Sequence, residues 1–123
     1  MTQTPPPQVW PTLGARDARS LIKFLVDAFG FEETVVYGEG DRVDHAELAW
    51  PPGGGVMLGS NVPGTFHAYV VCDEPDALFK RAVENGAVVV AEPSDKFYGS
   101  RDFSVRDPEG NNWTFGTYRG HPR

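Results

Sequence analysis

Two stretches of the chain carry the same pattern of apolar and polar positions. In the first, Leu21, Ile22, Phe24, Leu25, Ala28 and Phe29 recur at helical spacing and form one apolar stripe. Asp17 stands ahead of them as an N-cap, and Gly30 ends the helix in the left-handed conformation that glycine tolerates best. In the second, the stripe is Leu78, Phe79, Ala82 and Val83, with Asp73 as the expected N-cap, Pro75 near the first turn and Gly86 as the stop. Asp17 to Gly30 and Asp73 to Gly86 are both thirteen residues, and the two halves are offset by 56.

Strands with period-two alternation flank each helix. They are predicted over 9–13, 34–37, 45–49 and 56–60 in the first half, and over 66–71, 87–91, 102–106 and 113–117 in the second. The turns Trp50-Pro51-Pro52-Gly53-Gly54-Gly55 and Asp107-Pro108-Glu109-Gly110-Asn111 precede the last strand of each half. Helix length, stops, turns and strand endings repeat together, which predicts an α+β fold of two tandem βαβββ modules, 9–60 and 66–119, in one domain. Residues 1–8 form a Pro-rich arm whose Pro5-Pro6-Pro7 favours polyproline II, and 120–123 are a tail. Strand parity sends Phe103, Val105, Trp113, Phe115, Ala46 and Leu48 toward the helices. It leaves Trp10, Thr12, His45, Glu47, Met57, His67, Tyr69, Asp102, Ser104, Arg106, Thr114 and Gly116 on the opposite, open face.

Composition narrows the function. The chain has 123 residues, enough for one domain that folds without metal or disulfide support. Seventeen acidic against eleven basic residues give a net charge of -6, which argues against a nucleic-acid binder. Cys72 is the single cysteine, so an intrachain disulfide and a cysteine-type zinc site are excluded. No apolar run approaches the ~20 residues that span a bilayer, so a soluble, cytoplasmic protein without a membrane partner is expected.

With Asp17-Ala18, Ile22-Lys23-Phe24-Leu25 and Ala28-Phe29-Gly30-Phe31 in the first half, the chain resembles the vicinal-oxygen-chelate superfamily. The second half carries the resemblance in His67, Arg81-Ala82, Asn85-Gly86-Ala87, Tyr98-Gly99-Ser100-Arg101 and Asp107-Pro108-Glu109-Gly110-Asn111. That superfamily includes glyoxalases, bleomycin-resistance proteins and extradiol dioxygenases. The resemblance implies modules curved into a cupped mixed sheet, helices on the convex side and a ligand pocket on the concave side. It also implies, for metal-dependent members, a divalent ion held by His or Glu from four strands. Carried over, those positions hold His67 but also Trp10, Met57 and Thr114. Indole offers no lone pair and a thioether suits zinc, nickel or magnesium poorly, so no cofactor is expected. An atypical divalent site of His45, Glu47 and His67 is the alternative, if those side chains converge. Without metal, Glu47 or His67 is the residue to act as acid or base.

No serine lies in a nucleophile elbow, and Gly53-Gly54-Gly55 is a turn and not a phosphate loop. Arg101, beside Tyr98, either clamps an anionic or carbonyl-bearing ligand or pairs with Asp95 or Asp102. Trp10, Tyr69, Phe97, Tyr98 and Trp50 lie on or near the rim of the cup, where flat walls suit a planar, partly apolar ligand. The resemblance is nearest in type to the bleomycin-resistance proteins. It implies a metal-independent binder of an aromatic small molecule, working as a homodimer of a kind in which some members exchange the N-terminal arm. The second reading is an isomerase, lyase or dioxygenase-like enzyme in the same cup.

Overall fold

The computed structural model describes residues 9–62 and 64–120. The predicted arm and the last three residues of the tail lie outside the described residues. The first module runs β1 (Thr12–Gly14), α1 (Ala18–Phe24), a π-helical turn (Leu25–Phe29), β2 (Glu32–Glu39), β3 (Arg42–Ala49) and β4 (Gly55–Gly59). The second runs β5 (His67–Val71), α2 (Pro75–Glu84), β6 (Val88–Asp95), β7 (Arg101–Arg106) and β8 (Asn112–Gly116). Both modules are βαβββ, as the repeat predicts. The strands form two four-stranded mixed sheets, β1-β4-β3-β2 and β5-β8-β7-β6, one from each module. In each sheet the first and last strands of the module run parallel and the remaining pairs antiparallel.

The helix ends follow local chemistry, with one correction. Asp17 Oδ1 accepts the Ser20 N–H at 3.1 Å and caps α1. Gly30 closes the π-helical turn at φ 92°, the left-handed stop its position requires. Asp73 does not cap α2: the N-cap is Glu74, which makes no side-chain capping bond, and Asp73 instead accepts from Arg119. The Arg81 guanidinium of α2 donates to the Asp27 carbonyl at 3.0 Å, at the end of the first helix, and to the Val26 carbonyl at 3.3 Å, which also accepts the Gly30 N–H. The first strand also starts later than alternation predicts, at Thr12, and β2 extends beyond 34–37 at both ends.

Strand parity holds across the core. Ala46, Leu48, Phe103, Val105, Trp113 and Phe115 are buried in one core that spans both modules. Phe29 joins the halves, its ring 5.2 Å from Trp113 and 4.8 Å from Phe115. The turn before β8 is an internal brace. Asp107, 3% exposed, accepts the Trp113 indole N–H at 2.8 Å, the Asn111 amide at 2.9 Å and the Glu109 backbone N–H at 2.9 Å.

Glu109 in turn reaches across to the first module. Its carboxylate accepts the backbone N–H groups of Arg16 and Asp17, both at 3.0 Å. Burial pushes the Glu109 carboxyl up, but these two bonds and the Arg16 charge together hold it below the ordinary Glu value. A depressed folded-state value means stability that is present above the unfolded value and lost as pH falls through the folded one. Glu109→Gln is therefore expected to lower the urea midpoint at neutral pH, with the gap from the parent closing on acidification through the Glu range.

Candidate functional site

β1 and β5 each pair with one neighbour only, so each module has an unpaired strand edge. Between them opens a cavity of about 390 Å³, with Pro11 and Val56 on one side and residues 68–71 on the other. Phe31, Trp50 and Trp113 wall it. Trp50 follows the last residue of β3 and begins the turn into β4, where Gly53 and Gly54 adopt positive φ. Its ring packs 5.1 Å from Phe31 and 5.7 Å from Phe115, and its indole N–H donates to the Val71 carbonyl at 3.1 Å. Trp10 lies over Gly55, where a Cβ would come within 3.0 Å of its ring. Trp10, Trp50 and Tyr69, expected on the rim of a cup, thus gather at the seam between the modules.

Tyr69 links the seam to a polar cluster at one end of the second sheet. Its hydroxyl donates to the Tyr118 carbonyl at 2.7 Å, and Tyr98 packs edge-on against Tyr118 at 5.6 Å. Asp102 faces this cluster as parity requires, yet it is only 4% exposed. The hairpin between β6 and β7 covers it: the Tyr98 hydroxyl donates to Asp102 at 3.1 Å and Lys96 Nζ lies 3.6 Å away. Partial desolvation, then the hydrogen bond to Asp102, raises the Tyr98 phenol, so Tyr98 stays protonated and donating at neutral pH. A Cβ at Gly116 would meet Tyr69 Oη at 2.7 Å, Asp102 Cβ at 2.8 Å and Ser100 Oγ at 2.9 Å. Gly116→Ala is expected to cost about 1–3 kcal/mol by overpacking and to displace Tyr69. Chemical denaturation reads the first effect and the Tyr69 ring resonances read the second.

The open faces hold the other predicted residues. Thr12, Met57 and Glu47 sit in register across the first sheet, and Tyr69, Thr114 and Ser104 across the second. His45 Nε2 lies 2.9 Å from Glu47 Oε2, and Tyr37 stacks on the His45 ring at 6.4 Å. On the second sheet Ser104 and Thr114 hydroxyls are 2.7 Å apart, and His67 Nε2 lies 3.5 Å from Thr114 Oγ1. His45 and Glu47 are brought together. His67 is not brought to them, and among the described residues no three His, Cys, Asp or Glu side chains cluster closely enough to hold a metal ion. At the positions of the usual ion in metal-dependent vicinal-oxygen-chelate proteins, an indole, a thioether, a hydroxyl and one imidazole form a donor set that does not fit it.

Arg101 resolves to a surface pair. Its guanidinium donates to Asp76 at 3.0 Å and Asp95 at 3.3 Å, and these bonds, Asp76 first, raise its pKa further. Arg106, which parity places on the open face of the same strand, donates to Asn112 at 3.2 Å. Cys72 borders a second cavity of about 380 Å³ beside Trp50 and α2. Burial, then the Asp73 charge, pushes its thiol up to about 11, which makes it inert at neutral pH. Sequence reasoning missed Phe31 and assigned Trp113 to the core alone. The signal was present in the aromatics that follow the first helix (Phe31, after Gly30) and β3 (Trp50), but pairing them with Trp113 requires the packing of the two modules.

Comparison with known proteins agrees with this architecture. The family model described as Glyoxalase/Bleomycin resistance protein/Dioxygenase superfamily matches residues 8–115. An uncharacterized protein of Mycobacterium bovis is 34% identical, over 89% of this chain and 82% of its own length. One of Mycobacterium tuberculosis is also 34% identical, over 89% of this chain and 74% of its own. Among solved structures, TioX from a Micromonospora species superposes with a TM-score of 0.76 at 29% identity, covering 85% of this chain and 93% of TioX. A glyoxalase-related enzyme from Clostridium phytofermentans gives a TM-score of 0.73 at 19% identity, over 89% of this chain and 93% of that one, a likeness of fold alone. No helix of the described residues is long and apolar enough to cross a membrane.

Proposed function

Because the chain belongs to the glyoxalase/bleomycin resistance protein/dioxygenase superfamily, we propose that it binds a planar, largely aromatic small molecule and holds it without breaking a bond. Sequestration of an aromatic natural product or antibiotic is the role this chemistry serves, in the cytoplasm and as a homodimer. The observation that supports it is the cavity of about 390 Å³ at the module seam, walled by Phe31, Trp50 and Trp113 and bordered by Tyr69. That size lies within the range of small-molecule sites, and aromatic walls reward flat shape without demanding reactive groups. No metal enters the reading, since the donor set at the usual positions does not fit one.

Two measurements test it. Titration with planar aromatic natural products, followed by tryptophan fluorescence, is expected to saturate, and replacing both Trp10 and Tyr69 with Ala to weaken binding while the fold persists. Unchanged affinity in the double variant would remove the aromatic groove. Elemental analysis of untagged protein offered zinc, nickel, manganese and iron is expected to find no stoichiometric metal. A metal lost on His67→Ala would instead favour the enzyme reading.

That second reading has its own observation, the His45–Glu47 pair at 2.9 Å. A carboxylate that orients an imidazole is half of a general base, and acid–base catalysis would need only a substrate proton within reach of it. Turnover abolished by both His45→Ala and Glu47→Gln, with binding retained, is the result it requires.

A further inference from the structure

The unpaired edge of β5 gives the seam cavity a recognition element that its aromatic walls lack. The Asn112 N–H donates to the Phe66 carbonyl at 3.0 Å, and the Cys72 N–H to the Gly116 carbonyl at 2.8 Å. In a parallel ladder this phase commits the backbone of residues 66, 68, 70 and 72 to β8. Tyr69 and Val71 therefore turn their N–H and C=O groups to the other edge. The first module faces that edge, because the Trp50 indole reaches the Val71 carbonyl across it at 3.1 Å. Beside the cavity, whose lining takes in Tyr69 and Val71 but not His67, three groups remain there: the Tyr69 N–H, the Tyr69 carbonyl and the Val71 N–H. None of the three has a hydrogen-bond partner among the described residues.

We propose that this strand edge and the aromatic cavity beside it together bind an uncharged flat heterocycle carrying a hydrogen-bond donor and acceptor side by side, as a lactam does. The inference rests on the small-molecule binding reading above and names the class of ligand. Backbone groups lining an apolar cavity lose free energy when unsatisfied, and a ligand edge with alternating donor and acceptor satisfies them as a neighbouring strand would. The half-buried ring of Trp50 and the exposed ring of Tyr69 supply surface for the flat body of such a ligand, while Phe31 and Trp113 are buried against other aromatic rings of the core. Charge at the cavity mouth is already neutralised, since Arg119 pairs with Asp73.

Three ring systems of nearly one shape test the edge directly. Isoquinolin-1-one carries donor and acceptor, isoquinoline an acceptor only, and naphthalene neither. Titrated into the intact protein, followed by tryptophan fluorescence and backbone amide NMR, the lactam is expected to bind about tenfold tighter than naphthalene. It should also move the Tyr69 and Val71 amide resonances, which naphthalene should leave nearly in place. Equal affinities for all three would overturn edge recognition and leave small-molecule binding standing. Saturation by none of the three, while larger planar aromatics do saturate, would likewise overturn it. Tyr69 and Val71 amides that are protected from exchange only in a dimer, with no response to the lactam, would assign the edge to a second copy and overturn the proposal too.

Discussion

Asp107→Ala is expected to be the most destabilising single substitution in the chain, at about 3–5 kcal/mol. The carboxylate accepts the Trp113 indole N–H, the Asn111 amide and the backbone N–H groups of Glu109 and Asn111, at 2.8 to 3.1 Å. Asp107, Asn111 and Trp113 are at most 3% exposed, so donors stripped of their acceptor would find little water. Trp113 then loses its orientation against Phe29, Phe31 and Phe66, and the contact between modules loosens with it. Against a total stability of about 5–15 kcal/mol, such a loss lowers the melting temperature by more than about 10 °C. Asp107→Asn keeps one accepting oxygen and should recover part of it. Thermal unfolding followed by circular dichroism checks both.

The second large effect falls on binding. Trp50→Ala removes a wall shared by both cavities, together with the indole that reaches the Val71 carbonyl. Stacked aromatic anchors of this kind dominate the energetics of sites they line, so affinity for a planar ligand should fall about tenfold to a hundredfold. Trp50→Phe retains a flat wall without the N–H, and is expected to lose less. Calorimetric titration of the two variants against the parent separates the wall from the hydrogen bond. A fall in affinity matched by a loss of helical signal would mean that Trp50 acts through the fold alone.

Much of the architecture is legible in the sequence because it is local. The stripe from Leu21 to Phe29, the Asp17 cap and the Gly30 stop involve residues within two turns of one another, and the structure holds all of them in place. Parity in β3, β7 and β8 is equally local, and it puts Phe103, Val105, Trp113 and Phe115 in the core. The readings that change depend on distant partners. Asp73 has the composition of a cap, but Arg119, forty-six residues away, takes its carboxylate. Asp102 sits on the face that alternation assigns, yet the hairpin carrying Lys96 and Tyr98 folds over and buries it. Arg101 turns to Asp76 on α2, a partner no spacing in its own strand indicates. The site suffers most from this. His67 shares a face type with the paired His45 and Glu47 without sharing their place, whereas Trp50 and Trp113 lie on different modules and meet at the seam.

The proposed activity is to hold an aromatic small molecule and return it unchanged. Its most direct test is equilibrium titration with a panel of planar aromatic natural products, with the bound compound recovered and weighed by mass spectrometry. Saturable binding to metal-free protein, quenching of tryptophan fluorescence and recovery of an unaltered compound are the predicted result. Recovery of a chemically changed compound, or binding that requires an added divalent ion, would contradict it.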